Sequence, residues 1–179
     1  MNQSLLTLQP YHPRSWQRLF QRLGALRPCS WALSYLLPRL DRWMLRRSHG
    51  KRSLTTLLSG MPLITLTTTG ARSGLPRQAS LVVVPIAGGI VLIASDFGSP
   101  HHPAWYHNLI AHPQAQVSLD GQIASFVARQ ANGEERQACW RLAVSLYPVF
   151  EAYRRRATGR EIPVMVLTPV ASSLPHSQD

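Results

Sequence analysis

The hydrophobic pattern changes its period near residue 61 and so divides the chain into two parts. Over residues 14–23, and again over about 30–47, apolar side chains recur every three or four positions while arginines occupy another face. This spacing predicts two amphipathic helices. Beyond residue 61, short runs of β-branched and aliphatic residues bounded by glycine and proline predict strands instead.

Six short strands are predicted in the second part, most of them joined by hairpin turns. The predicted strands cover residues 63–69, 81–86, 90–95, 116–119, 122–128 and 162–167. We expect the first three to form an antiparallel meander, and Asp120-Gly121 is a strong turn signal between the fourth and the fifth. Helices are predicted over 104–111, 134–147 and 148–156. The combination indicates an α+β protein with a small antiparallel β-barrel, because closure removes the edges that an open sheet exposes.

Positive charge is concentrated in the first part of the chain. The 179 residues include 19 Lys and Arg against 8 Asp and Glu, a net charge of +11. Residues 1–60 hold ten of the basic side chains and one acid, whereas residues 61–179 are nearly balanced. An amphipathic, arginine-rich segment over residues 13–47 is typical of contact with an anionic membrane surface. A solvated helix packed on the body is the alternative, and no nucleic-acid-binding module is recognisable.

Neither export nor a transmembrane helix is predicted. No apolar run is long enough to span a membrane as a helix, and the first thirty residues lack the pattern of a secretory signal. Cys29 and Cys139 fit neither a metal pair nor a disulfide framework, and we expect both to be small buried residues. The expected location is cytoplasmic, with a peripheral position on the inner face of the membrane left open.

The segment over residues 70–77 is the first candidate for ligand binding. It places Arg72, Ser73 and Arg77 on one glycine-containing turn between two predicted strands. Two guanidinium groups, a hydroxyl and pliant backbone suit an anionic group. An exposed basic hairpin without a ligand has the same composition, so the pattern alone leaves both interpretations open.

The predicted helix over 104–111 is the second candidate. Trp105 and Tyr106 could stack on a planar ring and Asn108 could hydrogen-bond to it, or all three could be core and capping residues. His101, His102 and His107 lie in the same region, but their spacing matches no known metal-ligand pattern. No Gly-x-Ser-x-Gly elbow is present for a hydrolase triad.

Four segments together resemble the deazaflavin (F420)-dependent nitroreductase family. They are Leu66-Thr-Thr-Thr-Gly-Ala-Arg-Ser-Gly-Leu-Pro-Arg77, Val91-Leu-Ile-Ala-Ser95, His102-Pro-Ala-Trp-Tyr-His-Asn-Leu-Ile-Ala-His-Pro113, and the pair formed by residues 134–140 and 147–153. They occur in the family's order over about residues 62–168. The resemblance implies a split β-barrel related to flavin-binding proteins, with helices flanking it.

The resemblance also implies an enzyme that transfers hydride from reduced coenzyme F420 to a quinone, a nitroaromatic compound or a similar acceptor. Tyr153, Tyr147 and Ser95 are the implied candidates for donating a proton to the acceptor or packing against it. The tail of the coenzyme is expected at the turn, its middle at the loop after residue 95 and its ring at the helix. The implied coenzyme-binding residues are Arg72, Ser73, Gly74, Pro76, Arg77, Ser95, Gly98, Trp105, Tyr106 and Asn108.

Several positions depart from the family pattern. Ala71, Ala79 and Asp96 stand where members often carry basic or polar residues, and Val82 and Phe150 stand where some carry tyrosine. An aspartate beside an anionic tail would repel it unless it points away. FMN and haem, which related split barrels bind, are therefore the alternative cofactors.

The expected organisation has three parts. Residues 1–60 form a basic amphipathic helical extension, residues 61–170 the coenzyme-binding split β-barrel domain, and residues 171–179 a flexible tail. Both a monomer and a homodimer are compatible with the pattern. A non-enzymatic protein that binds a membrane surface is the alternative function.

Overall fold

The structure, a computed structural model, describes residues 63–119 and 122–170. The predicted N-terminal helices, the C-terminal tail and the Asp120-Gly121 turn lie outside the described residues. Seven strands and three helices follow one another in the described part. The strands are β1 Leu63–Thr69, β2 Pro76–Val82, β3 Val84–Ile86, β4 Gly89–Ile93, β5 Gln114–Leu119, β6 Gln122–Gln130 and β7 Val164–Pro169; the helices are α1 Ala104–Ala111, α2 Gly133–Leu146 and α3 Val149–Arg156.

All seven strands belong to one antiparallel sheet in the order β2-β1-β5-β6-β7-β4-β3. Its two edge strands, β2 and β3, are consecutive in sequence and separated by Val83 alone. A single residue can bridge the two edges only if they approach each other, so the sheet must curl into a barrel. The α+β class and the split β-barrel are thereby confirmed.

The predicted meander is wrong in one respect. The predicted strand over 81–86 is two strands, because β2 ends at Val82 and β3 begins at Val84. β2 pairs with β1, whereas β3 pairs with β4 at the opposite edge of the sheet. Val83 and Val84 are both fully buried, but they belong to different hydrophobic clusters. A continuous apolar run therefore concealed the point at which the chain crosses between edges.

Two hydrophobic cores lie on opposite faces of the curled sheet. The first is enclosed by the strands and by α1, and it includes Leu66, Leu92 and Phe126. The second lies between the sheet and helices α2 and α3, and it includes Val91 and Tyr147. β4 is buried along its whole length because alternate residues enter each core. A strand buried on both faces is a rigid support for the loop that follows it.

Cys139 lies on α2 and is buried, as expected for a small core residue. Burial, more than any other cause, raises the pKa of its thiol. Cys29 lies outside the described residues. Within residues 63–119 and 122–170, no helix has both the length and the apolar composition needed to cross a membrane.

Candidate active site

The β1–β2 turn is closed tightly by its own backbone. The amide of Gly70 donates to the carbonyl of Leu75 at 2.9 Å, and the amide of Gly74 donates to the carbonyl of Gly70 at 2.8 Å. Gly74 has φ of +66°, a conformation that favours glycine. A Cβ at Gly70 would lie 2.6 Å from Oγ of Ser73, so the two glycines permit the close packing of this turn.

The same turn presents a set of hydrogen-bond donors to solvent. Arg72, Ser73 and Arg77 are exposed, and Nη2 of Arg77 lies 3.5 Å from Oγ of Ser73. Gly74 and Pro76 are exposed beside them; Pro76 and Arg77, which the sequence places in the turn, are the first two residues of β2. Guanidinium and hydroxyl groups arranged on pliant backbone can bind phosphate or carboxylate oxygens. The donors of the turn therefore fit an anionic ligand.

Asn108 joins this turn to helix α1. Its Oδ1 accepts a hydrogen bond from the amide of Ala71 at 2.9 Å, and its Nδ2 donates to Oγ1 of Thr68 at 3.0 Å. Asn108 and Thr68 are both buried. The side chain of Asn108 thus connects the helix to the β1–β2 turn.

Thr68 is a site residue that the sequence reasoning missed. It lies on the inward-facing side of β1, which alternates buried and half-buried positions. The other inward positions of β1 carry Ile64 and Leu66, so a threonine there is a polar residue in an apolar row. That interruption was a usable signal, because a buried hydroxyl needs a hydrogen-bond partner.

The loop after β4 contains an unusual backbone segment. Asp96, Phe97 and Gly98 form a short 3-10 turn with φ of +46°, +56° and +82°. Left-handed residues other than glycine cost about 1–3 kcal/mol each and persist where the surroundings enforce them. A Cβ at Gly98 would lie 2.7 Å from Cβ of Arg156 and 2.8 Å from the carbonyl oxygen of Tyr153. Only glycine therefore allows this turn to pack against α3.

The structure places the remaining binding candidates at different depths. Ser95 is buried at the end of β4, next to the left-handed turn. Trp105 is buried among the residues inside the curled sheet, which favours a role in packing. Tyr106 is half-buried, and its hydroxyl donates to Oε1 of Gln130 at 2.9 Å. Their roles toward a ligand remain predictions.

The two candidate tyrosines occupy different environments. Tyr147 is 1% exposed, and its hydroxyl donates to the carbonyl of Val83 at 3.4 Å inside the core. Tyr153 is 9% exposed, and its ring lies 5.7 Å from that of Phe97 in the left-handed turn. Tyr153 therefore borders the loop that carries Ser95, whereas Tyr147 lies deeper and supports the fold.

Arg160 and His102 form the main electrostatic feature near this loop. Nη1 of Arg160 lies 2.9 Å from Nδ1 of His102. Burial lowers the pKa of His102, and the positive charge of Arg160 and the neighbouring His107 lower it further. Burial also lowers the pKa of Arg160, and the carboxylate of Asp96 opposes that shift. The lowered pKa of His102 favours its neutral form beside the guanidinium, which stays charged in proteins.

No group of three or more His, Cys, Asp and Glu side chains forms a metal site within the described residues. His102 uses Nδ1 toward Arg160, and its ring lies 5.0 Å from that of Tyr106 and 5.9 Å from that of His107. His101 is exposed in the loop before α1.

The three predicted parts of the site are connected through two polar links. Asn108 connects the β1–β2 turn to α1, and Arg160 connects Ser95 and Ser99 of the loop after β4 to His102, which stands just before α1. Arg160 was not singled out in the sequence, where it stands in the segment Gly159-Arg-Glu-Ile-Pro163 without any distinguishing pattern. Its partners lie at least 58 residues away along the chain, so only the fold reveals its contacts.

The fold and the donor set define a class of protein: a split-barrel protein with a turn suited to anions beside a short aromatic helix. The family model described as "F420H(2)-dependent quinone reductase" matches residues 37–169 of this chain. The chain belongs to the F420H(2)-dependent quinone reductase family.

Individual relatives agree with this assignment. The chain is 30% identical over 109 residues to an F420H(2)-dependent quinone reductase of Mycobacterium tuberculosis strain H37Rv, covering 60% of this chain and 73% of the relative. A further protein of that strain, described as a putative F420H(2)-dependent quinone reductase, is 28% identical over 109 residues. That match covers 61% of this chain and 91% of the relative.

Solved structures agree as well. The structure of an F420-H2 dependent reductase, FDR-A, is 39% identical, with a TM-score of 0.54, and the match covers 59% of this chain and 93% of that one. A structure described as a domain-swapped dimer is 33% identical, with a TM-score of 0.57, covering 78% of this chain and 98% of that one. The family resemblance expected from the sequence is confirmed.

Proposed function

We propose that this protein binds reduced coenzyme F420 and catalyses hydride transfer from it to a quinone. Membership of the F420H(2)-dependent quinone reductase family supports the coenzyme and the acceptor class. The observation that carries the proposal is the double hydrogen bond of Asn108, which holds the anion-suited turn against the aromatic helix. One ligand with an anionic tail and a planar ring matches that arrangement.

Each part of the site has a separate task in this proposal. Arg72, Ser73 and Arg77 bind the phosphate and carboxylate groups of the coenzyme tail through charge-assisted hydrogen bonds. Gly74 and Pro76 give the turn its shape, while the loop carrying Ser95 and Gly98 lies along the middle of the coenzyme. When bound, the reduced coenzyme supplies the hydride, and the protein orients its ring and excludes water.

Tyr106 and Trp105 support the ring from α1 in this proposal, one at the surface and one from the core. Tyr153 is the preferred candidate for giving a proton to the reduced acceptor, because its position borders the loop after β4. Tyr147 is the weaker candidate, since its hydroxyl is engaged with Val83 in the core. Ser95 is the remaining candidate for the proton donor.

Titration of the purified protein with F420, FMN and haem tests the coenzyme. We expect saturable binding of F420 in the micromolar range and weaker binding of FMN and haem. Steady-state oxidation of reduced F420 in the presence of a water-soluble benzoquinone then tests the reaction. Tight binding of FMN or haem without binding of F420 would replace the proposed cofactor, and absence of all three would remove the enzymatic function.

A second proposal concerns residues 13–47 and the membrane surface. The net charge of this part of the chain is strongly positive, and quinones that serve respiratory chains are lipid-soluble. An amphipathic basic segment would bring the enzyme to the membrane in which such an acceptor resides. This proposal rests on the sequence and on the acceptor class.

Vesicle flotation tests the membrane proposal. We expect the full-length protein to float with vesicles of anionic phosphatidylglycerol. With vesicles of phosphatidylcholine, it should stay in the bottom fraction of the gradient. A variant with Arg14, Arg18 and Arg22 changed to glutamine should lose most of this binding. A variant with Arg141, Arg154 and Arg155, all exposed, changed to glutamine is the matched control because it also removes three positive charges, and equal flotation of the two variants would remove the proposal.

A further inference from the structure

Arg160 donates hydrogen bonds to one continuous segment of the chain. Its Nε donates to the carbonyl of Ser99 at 2.8 Å, its Nη2 to the carbonyl of Ser95 at 2.8 Å, and its Nη1 to the carbonyl of Ala94 at 3.2 Å. Nη1 also lies 2.9 Å from Nδ1 of His102. These four contacts occupy four of the five N–H hydrogens of the guanidinium. Arg160 is therefore committed to the protein and has little capacity left for a ligand.

The segment that Arg160 binds contains the left-handed turn. Ser95 and Ser99 stand immediately before and after Asp96–Gly98, whose three φ values are positive. The guanidinium thus joins the two ends of the turn and opposes its relaxation to ordinary backbone angles. A planar fork with several fixed donors can make this connection, whereas a single ammonium group cannot.

The same side chain constrains the tautomer of His102. A guanidinium only donates hydrogen bonds, so Nδ1 of His102 must accept, and the neutral ring then carries its hydrogen on Nε2. Arg160 and His107 are the charged or titratable groups that act on this ring, and Tyr106 packs beside it. His102 is thereby held as one tautomer at the start of α1.

We propose that Arg160 is a positioning residue of the coenzyme site, which holds residues 94–102 in the conformation that presents Ser95 and Gly98 to the coenzyme and fixes His102 as the Nε2–H tautomer. This role rests on the proposed function, because Ser95 and Gly98 are expected coenzyme contacts. Arg160 acts through the backbone and through His102. It does not contact the coenzyme itself.

The test compares Arg160→Gln and Arg160→Lys with Arg155→Gln, an exposed arginine on α3. In coenzyme-free protein, we expect Arg160→Gln to increase amide hydrogen exchange at Gly98 and Ser99 about tenfold or more, since the turn loses its clamp. Its dissociation constant for F420 should rise about tenfold. Arg160→Lys should resemble Arg160→Gln more than wild type, and Arg155→Gln should match wild type.

Nuclear magnetic resonance of His102 gives a readout that needs neither coenzyme nor activity. The nitrogen shifts of the wild-type ring should report Nε2–H, and the pKa of His102 should rise toward its ordinary value in Arg160→Gln. Either wild-type exchange at the turn or wild-type affinity for F420 in Arg160→Gln would overturn the positioning role. If that variant does not fold, an Nδ1–H tautomer in wild-type protein overturns it.

The two proposals fail in different ways. Wild-type protein that does not bind F420 overturns the proposed function and, with it, the assignment of this segment to a coenzyme site. Wild-type protein that binds F420, with Arg160→Gln binding it equally tightly, overturns the positioning role alone. Faster exchange at the turn combined with weaker binding of F420 in Arg160→Gln supports both.

Discussion

The side-chain amide of Asn108 donates to the hydroxyl of Thr68 at 3.0 Å, across 40 residues of chain. Thr68 in turn lies 3.4 Å from the carbonyl of Arg77, to which its hydroxyl can donate. The other end of the amide accepts from the backbone of Ala71. One asparagine thus holds α1 against both strands that flank the anion-suited turn, and the two halves of the candidate site depend on it.

Replacing Asn108 with alanine should weaken the fold and the site together. The change removes the amide donor from the buried hydroxyl of Thr68 and the acceptor of the partly buried amide of Ala71, which costs about 1–3 kcal/mol. We expect a lower urea midpoint and a dissociation constant for F420 raised about tenfold, because α1 and the turn are no longer held together.

Asn132→Ala is the control for Asn108→Ala. Asn132 is exposed, and it stands before α2 without a capping hydrogen bond from its side chain. It should retain the wild-type midpoint and affinity. If Asn108→Ala loses stability but binds F420 as tightly as wild type, Asn108 stabilises the fold without organising the site.

Neutralising the exposed arginines of the turn should affect binding but not folding. Arg72→Gln and Arg77→Gln each remove a charge-assisted donor, which is worth about 1–2 kcal/mol toward an anion and corresponds to about a five- to thirtyfold loss of affinity. The loss should shrink as salt concentration increases, because the wild-type contacts are exposed and screened. Isothermal titration at low and high salt measures both effects.

The control for these two variants is Arg141→Gln on the exposed surface of α2. All three variants remove one positive charge from the protein, so their net charges are equal. A similar loss of affinity in all three would mean that overall charge, not the turn, attracts the coenzyme.

Gly98→Ala should be more destabilising than Gly88→Ala. Both glycines have similar backbone angles, with φ of +82° and +75°. A Cβ at Gly88 meets no atom within 4 Å, whereas one at Gly98 would lie 2.7 Å from Cβ of Arg156. Gly88→Ala should therefore cost only the backbone strain, about 1 kcal/mol, and Gly98→Ala about 2–4 kcal/mol.

Urea unfolding of both alanine variants measures this difference. Equal midpoints would show that the loop after β4 can move away from α3 without loss. In that case packing against α3 does not fix the left-handed turn, and its conformation depends on the hydrogen bonds from Arg160.

The parts of the site that could be predicted from the sequence are those encoded by local pattern. The glycine-containing turn after β1 and the bounds of α1 at 104–111 follow from spacing and composition, and the structure confirms the helix; it ends the turn earlier than predicted, because Pro76 and Arg77 belong to β2. Arg160 could not be identified this way, because the carbonyl groups to which it donates hydrogen bonds are distant in sequence. The crossover at Val83 could not be predicted either, because a buried valine has the same sequence pattern whichever of the two cores it enters.

Stability should depend on pH through His102. Burial and Arg160 hold the pKa of His102 below its ordinary value of about 6.5, so the unfolded chain binds a proton more readily than the folded protein. The contribution of His102 to the free energy of unfolding is complete above about pH 6.5 and is lost as the pH falls toward the pKa of the folded protein. Wild-type protein should therefore lose more stability between about pH 7.5 and 5.5 than His102→Gln does.

The control for this pH dependence is His101→Gln, which changes the exposed neighbour. It should lose stability with falling pH as wild type does. The measurement is the urea midpoint of wild type and of both variants at the two pH values. An unchanged pH dependence in His102→Gln would mean that other groups carry it.

Phenylalanine substitutions at the two candidate tyrosines should separate catalysis from stability. Tyr153→Phe keeps the ring against Phe97 and removes the proposed proton donor, so kcat for quinone reduction should fall about a hundredfold with little change in affinity for F420. Tyr147→Phe removes the hydrogen bond to Val83 and should lower stability by about 1 kcal/mol while leaving kcat near wild type. Stopped-flow oxidation of reduced F420 and urea unfolding measure the two effects.

The reverse result, with kcat lost only in Tyr147→Phe, would assign the proton donor to the core tyrosine. An unchanged kcat in both variants would leave Ser95 as the remaining candidate.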